Sequence, residues 1–180
     1  MTVDGQQTPV PQDIREMIES WPGIPAFVRD RYLTVLFSND LAKAVSPAFH
    51  DGVNLARSTF LDSDVLVTNP GQDAIVEHVT GTLRDSLNRH ESDDGFERIV
   101  SELGAKSSAF AAAWAREDAP DAADSFPFTP DVVGRMTLAY QQLNIPGFFD
   151  LTLVVWRPVD ENSRMALARL SEIASGAAEA

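Results

Sequence analysis

The chain has 180 residues, 44% of them hydrophobic, no cysteine, and 27 acidic against 14 basic residues for a formal net charge of −13. Disulfides and thiolate metal sites are therefore excluded, a phosphate backbone is repelled at long range, and the apolar content suffices for one domain of ordinary core size. No run approaches the ~18 apolar residues of a membrane span, and the first eleven residues lack the basic-then-apolar order of a secretory signal, which predicts cytoplasmic residence.

Residues 1–11, rich in Gln and Pro, are expected to form a flexible lead, with a single domain over residues 12–175 and a frayed tail over 176–180. From Gln12 to Trp21 the apolar residues Ile14, Met17, Ile18 and Trp21 recur at spacings of three and four. This predicts an amphipathic helix across the core, stopped by Pro22 and Gly23. Ile24 to Arg29 and Tyr32 to Phe37 are β-branched and aromatic runs flanking Asp30 and Arg31, the pattern of two strands joined by a tight hairpin. Asn39 can cap a helix over Asp40 to Val45 by accepting a backbone N–H of its first turn.

Asn69, Pro70 and Gly71 predict a turn that opens the longest helix, Gln72 to Arg89, whose buried stripe is Ile75, Val76, Val79, Leu83 and Leu87. Gly81, costly inside a helix, predicts close approach by another element. Polar Glu91 to Gly95 breaks the helix. Phe96, Ile99, Val100 and Leu103 then resume the helical period as far as Gly104, and Ser107 to Arg116 presents Phe110 and Trp114 four apart. Asp118 to Asp124 has the composition of a solvent loop. Met136, Leu138 and Tyr140 alternate with polar neighbours as on a half-buried strand. Pro146 and Gly147 supply a turn, and Phe149 to Trp156 is apolar on both faces, as in a central strand pairing antiparallel with the one before it. A last helix over Asn162 to Ala174 carries Met165, Leu167, Leu170 and Ile173.

Two strands, a helical middle, two or three further strands and a helix make an α+β fold with helices over one face of a sheet. Several spaced groups narrow this further. They are Pro25, Ala26, Phe27 and Val28; Asn39 with Ala42; Asn54, Arg57 and Phe60; Ser107, Phe110 and Trp114; and Pro130, Gly134, Leu138 and Tyr140. Over roughly Asp13 to Ala174 the sequence resembles the ligand-binding domain of MmyB-like bacterial transcription regulators of the XRE helix-turn-helix type. It departs where that family usually has Trp, Arg and His, at Ser38, Val53 and Thr129. The resemblance implies a PAS-like antiparallel sheet covered by several helices, with flanking N- and C-terminal helices. It also implies a small-molecule sensor that reaches DNA only through an attached or partner helix-turn-helix module. Nothing before Asp13 could supply that module within this sequence, and a homodimer is expected.

No nucleophile elbow, phosphate loop or paired-histidine zinc motif is present. His78 and His90, about 18 Å apart along one helix, read as surface or capping residues, and His50 stands alone. Asp93-Asp94 and Glu117-Asp118 read as solvated loops. Neither catalysis nor a cofactor is expected. The expected site is an apolar cavity between sheet and helices, formed from Phe27, Val35, Phe37, Leu41, Phe60, Val79, Leu83, Phe110, Trp114, Leu138, Tyr140 and Leu153. Asn54 and Arg57 are placed at its mouth, where the guanidinium can take a carboxylate. The ligand class is a small apolar effector, a fatty acid or a secondary metabolite. The alternative is a dimerisation or protein-interaction module whose interior has closed over, recognised by an exposed apolar face on a terminal helix.

Overall fold

In the computed structural model, which describes residues 8–62, 72–116 and 124–178, strand-forming segments from opposite ends of the chain meet in one sheet. Strand β1 (Ala26–Asp30) lies between β2 (Val35–Ser38) and β5 (Phe148–Pro158). Strand β4 (Met136–Ile145) joins β5 to the edge strand β3 (Ser125–Phe128), so the order is β2-β1-β5-β4-β3 with every neighbour antiparallel. The helices are α1 (Gln12–Glu19), α2 (Asp40–Val45), α3 (Leu55–Leu61), α4 (Gln72–Arg89), α5 (Asp94–Lys106), α6 (Ser108–Ala115) and α7 (Glu161–Ala178). The architecture is the expected α+β class. Among the described residues no helix is long and apolar enough to cross a membrane.

Side-chain alternation divides the core. On the outer face of the sheet Ala26, Val28, Phe37, Leu151 and Leu153 bury Ile18 of α1 and Val10, so Val10 is anchored although the sequence places it in a flexible lead. On the inner face Phe27, Val35, Leu138, Val154 and Trp156 meet α2, Phe49, and Leu167 and Leu170 of α7. A third cluster lies within the helical layer, where Phe60, Val79, Leu83, Phe96, Leu103 and Phe110 bury one another. Each such large apolar side chain contributes about 1.5–3 kcal/mol.

The first hairpin differs from the expected tight turn. Asp30 belongs to β1, and its carboxylate accepts the backbone N–H groups of Tyr32 (2.9 Å) and Thr34 (2.8 Å) across a longer loop. Leu33 there has φ of +67° and is buried in the helical cluster. The left-handed conformation costs a leucine about 1–2 kcal/mol, which burial of its side chain offsets. The second hairpin matches its expectation: Ile145 pairs with Phe148 around Pro146 and Gly147, and Gly147 has φ of +83°, the geometry that favours glycine after proline in a tight turn.

Asn39 caps α2 as expected and does more. Its Oδ1 accepts from the N–H groups of Ala42 (3.0 Å) and Ala26 (3.2 Å), while Nδ2 donates to the carbonyls of Ile18 (3.3 Å) and Ile24 (2.8 Å). One buried amide thus ties α1, β1 and α2 together.

Four further corrections concern the helices and β3. Among the described residues nothing lies within 4 Å of a Cβ added at Gly81; α5 continues through Gly104 to Lys106; and α7 extends to Ala178 instead of fraying at 176. Strand β3 contains Pro127 and went unanticipated as a separate strand. As an edge strand bonded only to β4, it can accommodate a residue without an N–H. The turn expected at Asn69 to Gly71 lies outside the described residues, as does all but Asp124 of the acidic loop.

Candidate functional site

Helix α4 runs along β4 on the inner side of the sheet. At one end the His78 ring lies against Tyr140 (4.5 Å between ring centres) and Phe126 (4.9 Å), with Nδ1 3.2 Å from the Tyr140 hydroxyl. At the other end His90 Nε2 is 3.0 Å from the Phe149 carbonyl oxygen. Between these contacts the cover is incomplete. Gln142 and Asn144 pair with Val154 and Thr152 and so point to the inner face, yet both are exposed.

Beneath this opening sits Arg29. It follows Phe27 on the inner face of β1 and pairs with Thr152, which places it two strands from Asn144. The residue is only 2% exposed. Its Nη1 donates to the Asp30 carbonyl (3.1 Å) and its Nη2 to Gln142 Oε1 (2.6 Å), and among the described residues no carboxylate forms an ion pair with it. The neighbouring Asp30 carboxylate is committed to the N–H groups of its own turn.

Burial, reinforced by repulsion from Arg89, pulls the Arg29 pKa down to about 10, so the guanidinium remains charged at neutral pH. Burial and the Arg29 charge push His78 down to about 4, leaving its imidazole neutral there. Burial raises the Tyr140 hydroxyl above its ordinary value. The strip therefore offers one buried cation, a carboxamide, a phenol and a neutral imidazole. An unpaired guanidinium of this kind favours a planar oxyanion that it can bind through parallel N–H donors.

The twelve apolar and aromatic residues expected to line one cavity fall into three groups. Phe27, Val35, Leu41, Leu138 and Tyr140 share the inner-face cluster; Phe60, Val79, Leu83, Phe110 and Trp114 belong to the helical cluster; Phe37 and Leu153 lie on the outer face, across the sheet. Much of the expected hollow is occupied by rings, with Phe27 4.9 Å and Trp156 5.3 Å from Phe49, and Phe128 5.2 Å from Trp156. Asn54 caps α3 through Arg57 N (3.1 Å) and donates to the Tyr32 carbonyl (2.7 Å) and Thr34 Oγ1 (3.1 Å), so its amide is spent. Arg57 Nε bonds Glu102 Oε2 at 2.9 Å on the surface.

The sequence assigns no site role to Arg29 or Gln142, and His78 reads there as a surface or capping residue. The available signal was a charged residue in phase with Phe27, following the apolar run Ala26, Phe27 and Val28 on the same strand. His78 is half-buried, with its ring packed against Tyr140 of β4 and Phe126 of β3, and Asp93 is no solvated loop. Asp93 caps α5, accepting the Gly95 (3.0 Å) and Phe96 (3.1 Å) N–H groups, and binds Arg31 and the Tyr32 hydroxyl. Glu117 and Asp118 lie outside the described residues.

Away from Arg29, a groove of about 470 Å³ lies between Trp21 and Pro22, the segment Phe37 to Leu41 with Lys43, and Ser171, Ala174 and Ser175 of α7. Its polar groups are already engaged: Asn39 makes four hydrogen bonds, and Lys43 sits between Asp40 (3.8 Å) and Asp51 (4.0 Å). Among the described residues no group of three or more His, Cys, Asp or Glu side chains could hold a metal ion.

Residues 10–170 match the MmyB-like transcription regulator ligand binding domain, a span that takes in the whole sheet, Arg29 and α4. No curated protein matches the chain. The matched family consists of ligand-binding domains of regulators and is not an enzyme family. With most of its length covered by that match, the chain belongs to the MmyB-like transcription regulator ligand binding domain family.

Proposed function

We propose that this PAS-like domain is the cytoplasmic, non-catalytic effector sensor of a bacterial transcription regulator, and that its effector is a largely apolar acid such as a fatty acid. The carboxylate pairs with Arg29, and the apolar body runs along the inner face toward the rings of Tyr140 and Phe126. The observation that carries this reading is a charged guanidinium, 2% exposed and without a carboxylate partner among the described residues, beneath a strip of sheet that the helices leave open. A buried unpaired cation is expensive, and an incoming anion relieves that cost. An effector lodged against Arg29 beside α4 would shift the spacing of α4 from the sheet. In a homodimer that shift can alter how an attached or partner helix-turn-helix module meets DNA. The chain's charge of −13 leaves direct DNA contact to that module.

The test is calorimetry of the purified domain with saturated fatty acids and the corresponding alcohols. Acids are expected to bind at least tenfold tighter than alcohols of the same length. Equal binding of acid and alcohol, or no binding of any acid, refutes the reading.

A second reading, a protein-interaction module, draws on the exposure of Met165 (62%) and Ile173 (43%) on the terminal helix α7. Light scattering distinguishes it: Met165→Lys dissociates the assembly if α7 is an interface.

A further inference from the structure

The indole Nε1 of Trp156 is buried and has no hydrogen-bond partner among the described residues, in a side chain only 6% exposed. Buried donors in native proteins are nearly always satisfied, and one that is not calls for a partner. Rings surround this one: Phe49, Phe126, Phe128 and Tyr140 lie 5.2 to 6.4 Å away between ring centres. The Tyr140 hydroxyl lies 3.2 Å from His78 Nδ1 and makes no hydrogen bond with the indole.

Trp156 stands on the same face of the sheet as Arg29. Arg29 pairs with Thr152, Gln142 holds the guanidinium and pairs with Val154, and Tyr140 pairs with Trp156 itself. The guanidinium and the indole N–H are therefore separated by two to four residues of strand, about 7–13 Å at ~3.3 Å per residue.

We propose that the effector carries a second oxygen acceptor, a hydroxyl or carbonyl at that distance from its acid group, and that this oxygen takes the Trp156 N–H. The natural effector is then an oxygenated acyl acid and not a plain fatty acid. This rests on the acid group binding Arg29. An aromatic nest with one donor discriminates strongly, since an oxygen entering it elsewhere loses its water without replacement, while a plain chain leaves the indole unpaired.

The experiment titrates the domain with ω-hydroxy and ω-oxo alkanoic acids from hexanoic to dodecanoic and with their parent acids, by calorimetry, on the unchanged chain and on Trp156→Phe. One oxygenated chain length is expected to bind at least tenfold tighter than its parent. Trp156→Phe is expected to abolish that preference. The indole ¹H–¹⁵N resonance of Trp156 in the unchanged protein should shift with the oxygenated acid and stay put with the parent, an observation that does not depend on the variant folding. If parent acids bind and oxygenated ones bind no tighter, or the preference survives in Trp156→Phe, the Trp156 proposal fails and the Arg29 reading stands. If no acid binds, both fail.

Discussion

Replacing Arg29 with Met separates a ligand anchor from a structural strut. Arg29 makes two hydrogen bonds, to the Asp30 carbonyl and to Gln142, and forms no ion pair with a carboxylate among the described residues. Met has similar reach and no charge. Exchanging a buried charge for a well-fitted apolar side chain is commonly neutral or stabilising by about 1–4 kcal/mol, and Gln142, being exposed, can turn to water. Binding behaves in the opposite way. A hydrogen bond to a charged group is worth about 1.5–3 kcal/mol, so losing a two-pronged contact with a carboxylate weakens affinity by roughly 10²–10⁴-fold. Urea unfolding without ligand and calorimetry with a fatty acid measure the two sides separately. Arg57→Met is the control: its pair with Glu102 is at the surface, so it should cost no more than about 1 kcal/mol and leave affinity unchanged. If Arg29→Met loses several kcal/mol without ligand, or binds acids as well as before, Arg29 is a strut and the assignment of the site is wrong.

His78 links stability to pH. Its pKa is about 4 in the fold against an ordinary 6.5, so the unfolded chain binds the extra proton. The associated stability is fully present above pH 6.5 and is lost as pH falls from there through about 4, a change on the order of 3 kcal/mol; the difference in urea midpoint between the unchanged chain and His78→Gln should shrink over that interval. Asn39→Ala strands two backbone N–H groups and two carbonyls at the junction of α1, β1 and α2 and should cost about 2–4 kcal/mol, read as a fall in thermal midpoint; a loss below 1 kcal/mol would show that water replaces the amide. At Gly95 an added Cβ would meet the Tyr32 ring at 2.6 to 2.8 Å, and that ring is held by Asp93 and Phe96. Gly95→Ala should therefore destabilise by about 1–3 kcal/mol in urea unfolding, although alanine is the better helix former.

What could be read in advance was local. The boundaries of α4 follow from its periodicity, the cap at Asn39 from one side chain's reach, and β4 from strict alternation at Met136, Leu138 and Tyr140. Strand β3 was obscured because Pro127 argues against a strand unless the strand is known to lie at an edge, which is a property of the assembled sheet. Arg29 was obscured for the same kind of reason. Its burial depends on Gln142 and Thr152, more than a hundred residues away, and no window around residue 29 contains them. Aromatic residues taken as one lining separate into three clusters because strand alternation sends Phe27 and Phe37 to opposite faces, and the bulge between Val28 and Arg29 resets that alternation along β1 and β2.

The position of β1 between β2 and β5 also governs how this chain must be made. During synthesis the segment Ala26–Asp30 leaves the ribosome long before Phe148–Pro158, its partner on the other side. Until then the nascent chain carries a β1–β2 ribbon with an apolar flank and one open row of N–H and C=O groups, the kind of surface that recruits chaperones or a neighbouring nascent copy. Closing that row waits for a contact spanning most of the sequence, so the sheet should be among the last parts to assemble, and slowly. A product terminated ahead of β5 should accumulate as aggregate and not as a smaller folded domain.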